Sequence, residues 1–377
     1  MSSGQNLQWT TLPLIDVATL QRGFDLPVQN RTPGEVPIFA ANGPVGWHHE
    51  AKVLAPGVVT GRSGSIGKVH YVDRDYWPLN TSLFVKDFHG NHPRFIYYLL
   101  QQMRLEGYCE GTGVPTLNRN NVHSVMVDVP LLEEQQRIAG ILDRADELRA
   151  KRRAGLAQLD EFPHTIFLDM FGDPAANAKG WPLRSLGDLI VDGPQNGLYK
   201  PSADYGTGTP ILRIDAFYDG VITDLSGLKR VRLSEGERTG FRLTEDDVII
   251  NRVNSLEYLG KCALVPSLLE ETVFESNMMR MRFDLKKCHP RFVVQFLQSG
   301  FAKSQIQMRA KHAVNQASIN QQDVKGFQMG VPPIELQREF ARRVTAVETL
   351  KTAHRASLAE LDALFASLQH RAFRGEL

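Results

Sequence analysis

His92–Gln101 reads HPRFIYYLLQ and His289–Gln298 reads HPRFVVQFLQ, sharing six of ten positions at an offset of 197 residues. A match of this kind ranks above any local assignment, because an internal repeat fixes the architecture of the whole chain. Working outward, further pairs follow in the same order. Trp9 with Pro13-Leu14 answers Trp181-Pro182-Leu183, and GVVTGR (Gly57–Arg62) answers DVIINR (Asp247–Arg252). GKV (Gly67–Val69) answers GKC (Gly260–Cys262), and Asn80 before TSLFV answers Asn277 before MMRMR. TLNRNNV (Thr116–Val122) answers SINQQDV (Ser318–Val324), and VPLLEEQQ (Val129–Gln136) answers VPPIELQR (Val331–Arg338). A colinear series with offsets rising from about 170 to 202 means a unit of roughly 200 residues present twice, with insertions in the first part of the second copy.

Each copy has the same internal order, a globular segment followed by a long helix. The globular parts carry short strand-like runs (Lys52–Thr60, Leu83–Val85, Asp247–Asn251, Met279–Phe283) between Gly, Pro and Asn turns. The HPRF segments predict a helix with Pro93 or Pro290 in its first turn. The predicted boundaries are a first globular domain at 1–130, a central helix at 131–170, a second globular domain at 171–331 and a C-terminal helix at 332–377.

In the C-terminal helix, Phe340, Val344, Val347, Lys351, His354, Leu358, Leu361, Phe365 and Leu368 alternate spacings of four and three. That is a coiled-coil seam with two polar interruptions. The central helix places Ile138, Ile141, Ala145, Leu148, Leu156 and Leu159 similarly until Pro163, which is expected to end or kink it. Helices of about 32 and 38 residues would span roughly 48 and 57 Å. Neither narrow stripe is stable alone in water, so each helix is expected to take the other as its partner.

Composition narrows the function. With 377 residues, 42% hydrophobic and 23% charged, the chain has the make-up of a soluble globular protein with room for two cores. No run of eighteen apolar residues and no signal-peptide pattern occurs, which predicts a cytoplasmic protein. Cys109, Cys262 and Cys288 lack metal-ligand spacing, so neither a disulfide nor a metal site is expected. The glycine-rich TGRSGSIGKV (Thr60–Val69) approaches a P-loop and fails it twice: Gly61 stands too far from Gly67-Lys68, and Val69 occupies the hydroxyl position. No nucleophile elbow, HExxH or methyltransferase Asn-Pro-Pro-aromatic motif is present. His48-His49 are expected to diverge on a strand. These absences predict a recognition or scaffold protein rather than an enzyme.

Two non-identical globular modules, each followed by a similar helix, resemble the specificity subunit of a Type I restriction–modification system. The residues carrying the resemblance are VPLLEEQQRIAGILDRADEL (Val129–Leu148), NRVNSLEYLGK (Asn251–Lys261), DGPQNGLYKPSADYGTGTPILRI (Asp192–Ile214), TGRSGSIGKV and the tail SLQHRAFRGEL (Ser367–Leu377). The usual Pro-Phe-Gly-Ser after Asp-Gly is Pro-Gln-Asn-Gly here (Pro194–Gly197). The resemblance spans essentially the whole chain. It implies a mixed α/β (α+β) fold: two target-recognition domains joined by two long antiparallel coiled-coil helices as a pseudo-twofold internal repeat. It implies no catalysis and no cofactor bound by this chain, with S-adenosylmethionine, ATP and Mg on partner subunits. The implied partners are double-stranded DNA, two copies of the methyltransferase subunit and a restriction/translocase subunit.

The RSGSIGK loop then becomes a candidate for an anion or a base edge, with Arg62 and Lys68 as cationic arms. Arg pairs bidentately with guanine and Asn or Gln with adenine, so turn residues of those types are the candidate readers. In the first module they are Asn42, Arg62, Ser63, Ser65, Lys68, Asn118 and Arg119. In the second they are Gln195, Asn196, Lys200, Arg213, Arg252, Asn254, Ser255, Lys261, Asn315 and Gln316. The net charge of +1 is low for a protein that binds DNA alone. It fits a complex in which partner subunits neutralise most phosphates. The alternative is a coiled-coil adaptor that organises proteins without reading bases.

Overall fold

A computed structural model describes residues 9–110, 115–222, 225–314 and 316–377. The chain divides into two units: residues 1–154 with 355–377, and residues 155–354. The central helix runs Leu132–Phe171 and the C-terminal helix Ile334–Ala372, so each unit takes one segment of each.

In the first unit, strands pair in the order Thr19–Arg22, Ser82–Asp87, Gly57–Gly61, Val69–Val72, all antiparallel. A second sheet sets Val36–Ala40 between Gly43–His48 and a parallel Trp77–Pro78. Thr10–Pro13 pairs with Met126–Val129, closing the module's ends on each other. The helix Pro93–Gln102 buries Phe95, Ile96, Tyr98, Leu99 and Leu100 against this framework.

The second unit repeats the plan. Ile190–Asn196, Met278–Phe283, Val248–Asn251 and Cys262–Leu264 pair in the same order. Tyr205–Leu212 runs parallel to Val273–Phe274, and Leu183–Ser185 pairs with Gln328–Gly330. Two added strands, Phe217–Tyr218 and Gly220–Ile222, widen the main sheet, which is the insertion that the rising offsets announced. Loops repeat at the level of single bonds. Leu14 N–H donates to the carbonyl of Val125 and Leu186 N–H to that of Phe327.

The helix segments pack antiparallel within each unit. In the first, Arg149 Nε reaches Asp362 at 2.6 Å and Arg137 Nη2 reaches the Leu377 carbonyl at 3.1 Å. In the second, Lys351 Nζ reaches Asp160 at 2.8 Å, while Phe340 meets Phe167 and Phe171 further along. The predicted C-terminal seam is buried or half-buried at Phe340, Val344, Val347, Leu358, Leu361 and Phe365 alike. The central seam needs correction. Ile138 and Ala145 are buried and Ile141 is half-buried, but Leu148 is 53% exposed. Leu142 is buried in its stead, and Arg149 lies over the Phe365 ring at 4.2 Å while pairing with Asp362. A guanidinium that stacks and pairs at once fills a seam position that a pattern of apolar residues alone assigns to its neighbour.

Pro163 does not end the central helix, which continues to Phe171. An internal proline costs about 3 kcal/mol. Burial of Phe167 and Phe171 among other rings offsets it. His48 and His49 do not diverge either: the strand ends at His48, and the two rings meet at 4.5 Å beside Thr32.

Candidate nucleic-acid interface

The strand Gly57–Gly61 hands over to the strand Val69–Val72 through the loop that resembled a P-loop. A strand-to-strand loop has no helix to complete a phosphate cradle. Its shape is set by close approach: a Cβ on Gly61 would stand 1.9 Å from the Ser65 carbonyl oxygen. Only glycine fits there.

The loop is then clamped. Arg62 N–H donates to Thr81 O at 2.9 Å, and Arg62 O accepts from Leu117 N–H at 2.8 Å. The second unit uses the same two bonds: Arg252 N–H to Asn277 O at 2.8 Å, and Ile319 N–H to Arg252 O at 3.0 Å. Two arginines therefore hold one backbone station in two units. The Arg62 guanidinium and the Lys68 ammonium have no partner among the described residues, so both are free to meet an anion or a base. Arg252 donates Nη1 to Ser276 O at 3.1 Å, and its buried Nε is unpaired.

Around Arg62 the structure gathers Ser63, Ser65 and Lys68 on the loop, with Asn118 and Arg119 joined to it through Leu117. Asn42 lies exposed in a turn whose Ala41 carbonyl approaches Gly61. In the second unit Val253–Asn254 forms a three-stranded sheet with the hairpin Lys311–Ala313 and Gln316–Ser318, which brings Asn254, Ser255 and Gln316 near Arg252. Asn315 lies outside the described residues. A polar pocket of about 270 Å³ is lined by Asn196, Arg252, Asn320, Gln321 and Gln322.

Four predicted readers are tied into the fold instead. Gln195 accepts from Arg280 and donates to Gly240 O at 3.0 Å. Lys200 pairs with Glu237 at 2.7 Å, and that ammonium, with Ser234, holds the Glu237 carboxyl down to about 2. Arg213 pairs with Glu275 at 3.2 Å. Lys261 donates to Ile214 O at 2.6 Å and lies 3.8 Å over the Tyr218 ring, and burial lowers its pKa. Each bond is long-range in sequence, so residue type and turn position alone do not reveal it.

Gln321 and Gln322 were missed. The pairing of TLNRNNV with SINQQDV points to them, since they stand where Arg119 and Asn120 stand in the first copy. Asn118 and Asn320 are helix caps. Their side-chain oxygens accept from Asn120 N–H at 3.1 Å and from Gln322 N–H at 2.8 Å. No group of three or more metal-ligating side chains occurs among the described residues. Burial pushes the Cys262 and Cys288 thiols up to about 12, which leaves both unreactive.

One histidine couples this surface to pH. His123 Nε2 accepts the Leu20 N–H at 2.9 Å, which requires the neutral ring. Burial first, and then Arg119, lowers its pKa, and burial lowers that of His70. The unfolded chain therefore takes up protons near the ordinary value of about 6.5 while the folded one resists. The stabilisation is complete above that value and is lost as pH falls toward the lowered folded pKa. Melting temperature should drop between pH 7.5 and 5.5, with a shallower acid limb in His123→Gln. An identical acid limb in the variant would contradict this.

The fold and its matched arginine stations define a protein built from two units on one plan. The family model of the Type I restriction modification DNA specificity domain matches residues 6–158 and again 178–363, and the chain belongs to that family. The StySPI specificity subunit of Salmonella potsdam, a Type I restriction enzyme component, is 26% identical over 293 residues, covering 73% of this chain and 62% of that one. The EcoKI specificity subunit of Escherichia coli K12 is 26% identical over 310 residues, covering 77% and 66%. This chain spans just under two thirds of the length of both. The S subunit structure from M. genitalium shares the fold with a TM-score of 0.60 at 18% identity, over 99% of this chain and 98% of that one. A chain from work on assembly of the type I R-M system reaches 0.57 at 17% identity, over 98% of each. No helix among the described residues is long and apolar enough to cross a membrane.

Proposed function

We propose that this chain is the sequence-reading subunit of a Type I restriction–modification complex, with each unit reading one half of a split double-stranded DNA site. The observation that carries the proposal is the matched station of Arg62 and Arg252: one clamp, built twice, presenting loops of different sequence. The two helices would dock two methyltransferase subunits and, through them, the restriction/translocase subunit. S-adenosylmethionine, ATP and Mg would be held by those partners in the cytoplasm, and this chain would catalyse nothing. Near-neutral charge suits the arrangement, because affinity comes from phosphate neutralisation and specificity from base edges.

The test is to sequence modified DNA from cells expressing the chain with its methyltransferase. Arg62→Ala should weaken or relax the first half-site alone, and Arg252→Ala the second alone. A base contact is worth about 1–3 kcal/mol and relaxes one position, whereas a phosphate contact weakens all sequences evenly. If both variants leave motif and occupancy untouched, the adaptor role gains.

A further inference from the structure

Two short helical turns, Arg119–His123 and Gln321–Lys325, occupy equivalent places in the two units. Each follows a capping asparagine, and each is fastened to its unit's arginine station one residue before the cap, by the Leu117 and Ile319 N–H groups. The first two side chains of each turn are exposed. The third is turned back into the scaffold. Asn121 donates to Glu110 at 2.8 Å, and Asp323 accepts the Asn320 N–H at 2.8 Å.

The asparagine cap, the bond to the arginine station and the buried valine (Val122 and Val324) are shared, while the exposed pair differs: Arg119-Asn120 in the first unit, Gln321-Gln322 in the second. In the second unit the pair lines the polar pocket with Arg252 and Asn196, and no carboxylate lines it. A cavity walled by amides and one guanidinium suits purine edges: a glutamine grips N6 and N7 of adenine, an arginine O6 and N7 of guanine. Carboxylates, which would favour cytosine, are absent from that lining.

We propose that Arg119-Asn120 and Gln321-Gln322 are the specificity-determining pairs of the two units, an inference that rests on the DNA-reading role above. The first half-site then contains a guanine opposite Arg119. The second contains adenines opposite the glutamine pair.

The test exchanges the pairs in the full chain, expressed with its methyltransferase. Modified motifs are read by sequencing, and binding preferences by selection of the complex on randomised duplex DNA. R119Q/N120Q should replace guanine by adenine in the first half-site and leave the second unchanged. Q321R/Q322N should bring guanine into the second and leave the first. Discrimination at the affected position should shift about 5- to 150-fold. Wild-type chain yielding a bipartite motif while both exchanges leave it unaltered would overturn this inference alone. Wild-type chain yielding no motif would overturn the DNA-reading role beneath it. Where an exchange abolishes modification, R119A and Q321A decide: relaxation at one position supports the pairs, and even weakening across all sequences overturns them.

Discussion

Phe340→Ala should destabilise the second unit by about 3–5 kcal/mol, the usual range for removing a buried phenylalanine. Phe340 is 0% exposed and meets Phe167 and Phe171 edge-on, with ring centroids 5.7 and 5.6 Å away. Those two rings also hold Phe292, at 5.5 and 4.9 Å. One ring from the C-terminal helix, two from the central helix and one from the HPRF helix therefore form a single cluster inside the unit. Each such pair adds about 0.5–1.5 kcal/mol beyond area burial, and a domain has only about 5–15 kcal/mol in all. Urea denaturation followed by limited proteolysis should show the second unit unfolding early, with Phe340→Leu losing much less. A loss below about 1 kcal/mol in Phe340→Ala would mean that the cluster does not hold the helices.

Phe340 heads the seam read from the sequence, whereas its partners Phe167 and Phe171 lie beyond a proline where the seam was expected to stop. The difference is physical. Spacing along one helix is visible in the order of residues, and so is duplication, because HPRF, the VP-initiated helix starts and the GVVTGR/DVIINR pair repeat as strings. What a proline costs is also visible. What offsets it is tertiary, and here it is the Phe292 and Phe340 rings against which Phe167 and Phe171 pack. The same limit explains the reader residues. Arg62 and Lys68 are legible as loop cations, and neither has a partner among the described residues. Arg213 looks identical in type and setting, yet Glu275, 62 residues on, claims it. Arg149 was passed over for Leu148 because the apolar pattern gives a stacked guanidinium no weight.

Comparing the copies recovers more than reading either alone. Gln135 and Gln337 stand at the same point of VPLLEEQQ and VPPIELQR, and neither would be singled out by composition. In the structure both are buried polar hinges between globular part and helix. Gln135 accepts His92 N–H at 2.8 Å and donates to Asn91 Oδ1 at 2.8 Å and Pro130 O at 2.9 Å. Gln337 accepts His289 N–H at 2.9 Å and donates to Pro332 O at 2.7 Å and Lys287 O at 3.3 Å.

Gln337→Ala and Gln135→Ala should accordingly each cost about 2–4 kcal/mol, because a buried donor and a buried carbonyl are left unpaired at about 1–3 kcal/mol each. The side chains are 0% and 2% exposed, so water cannot readily replace the lost amide. Gln→Met at the same positions keeps most of the volume and removes the hydrogen bonds. It should cost nearly as much as alanine if the polar bonds dominate, and much less if the loss is a cavity. The unit affected is the second distinguishing feature. Gln135 fastens the helix Pro93–Gln102 to the start of the central helix, and Gln337 fastens Pro290–Leu297 to the start of the C-terminal helix. Hydrogen exchange should therefore rise in the first unit for the Gln135 variants and in the second for the Gln337 variants. Equal protection in both units, or methionine variants as stable as wild type, would remove these glutamines from the framework that the two copies share.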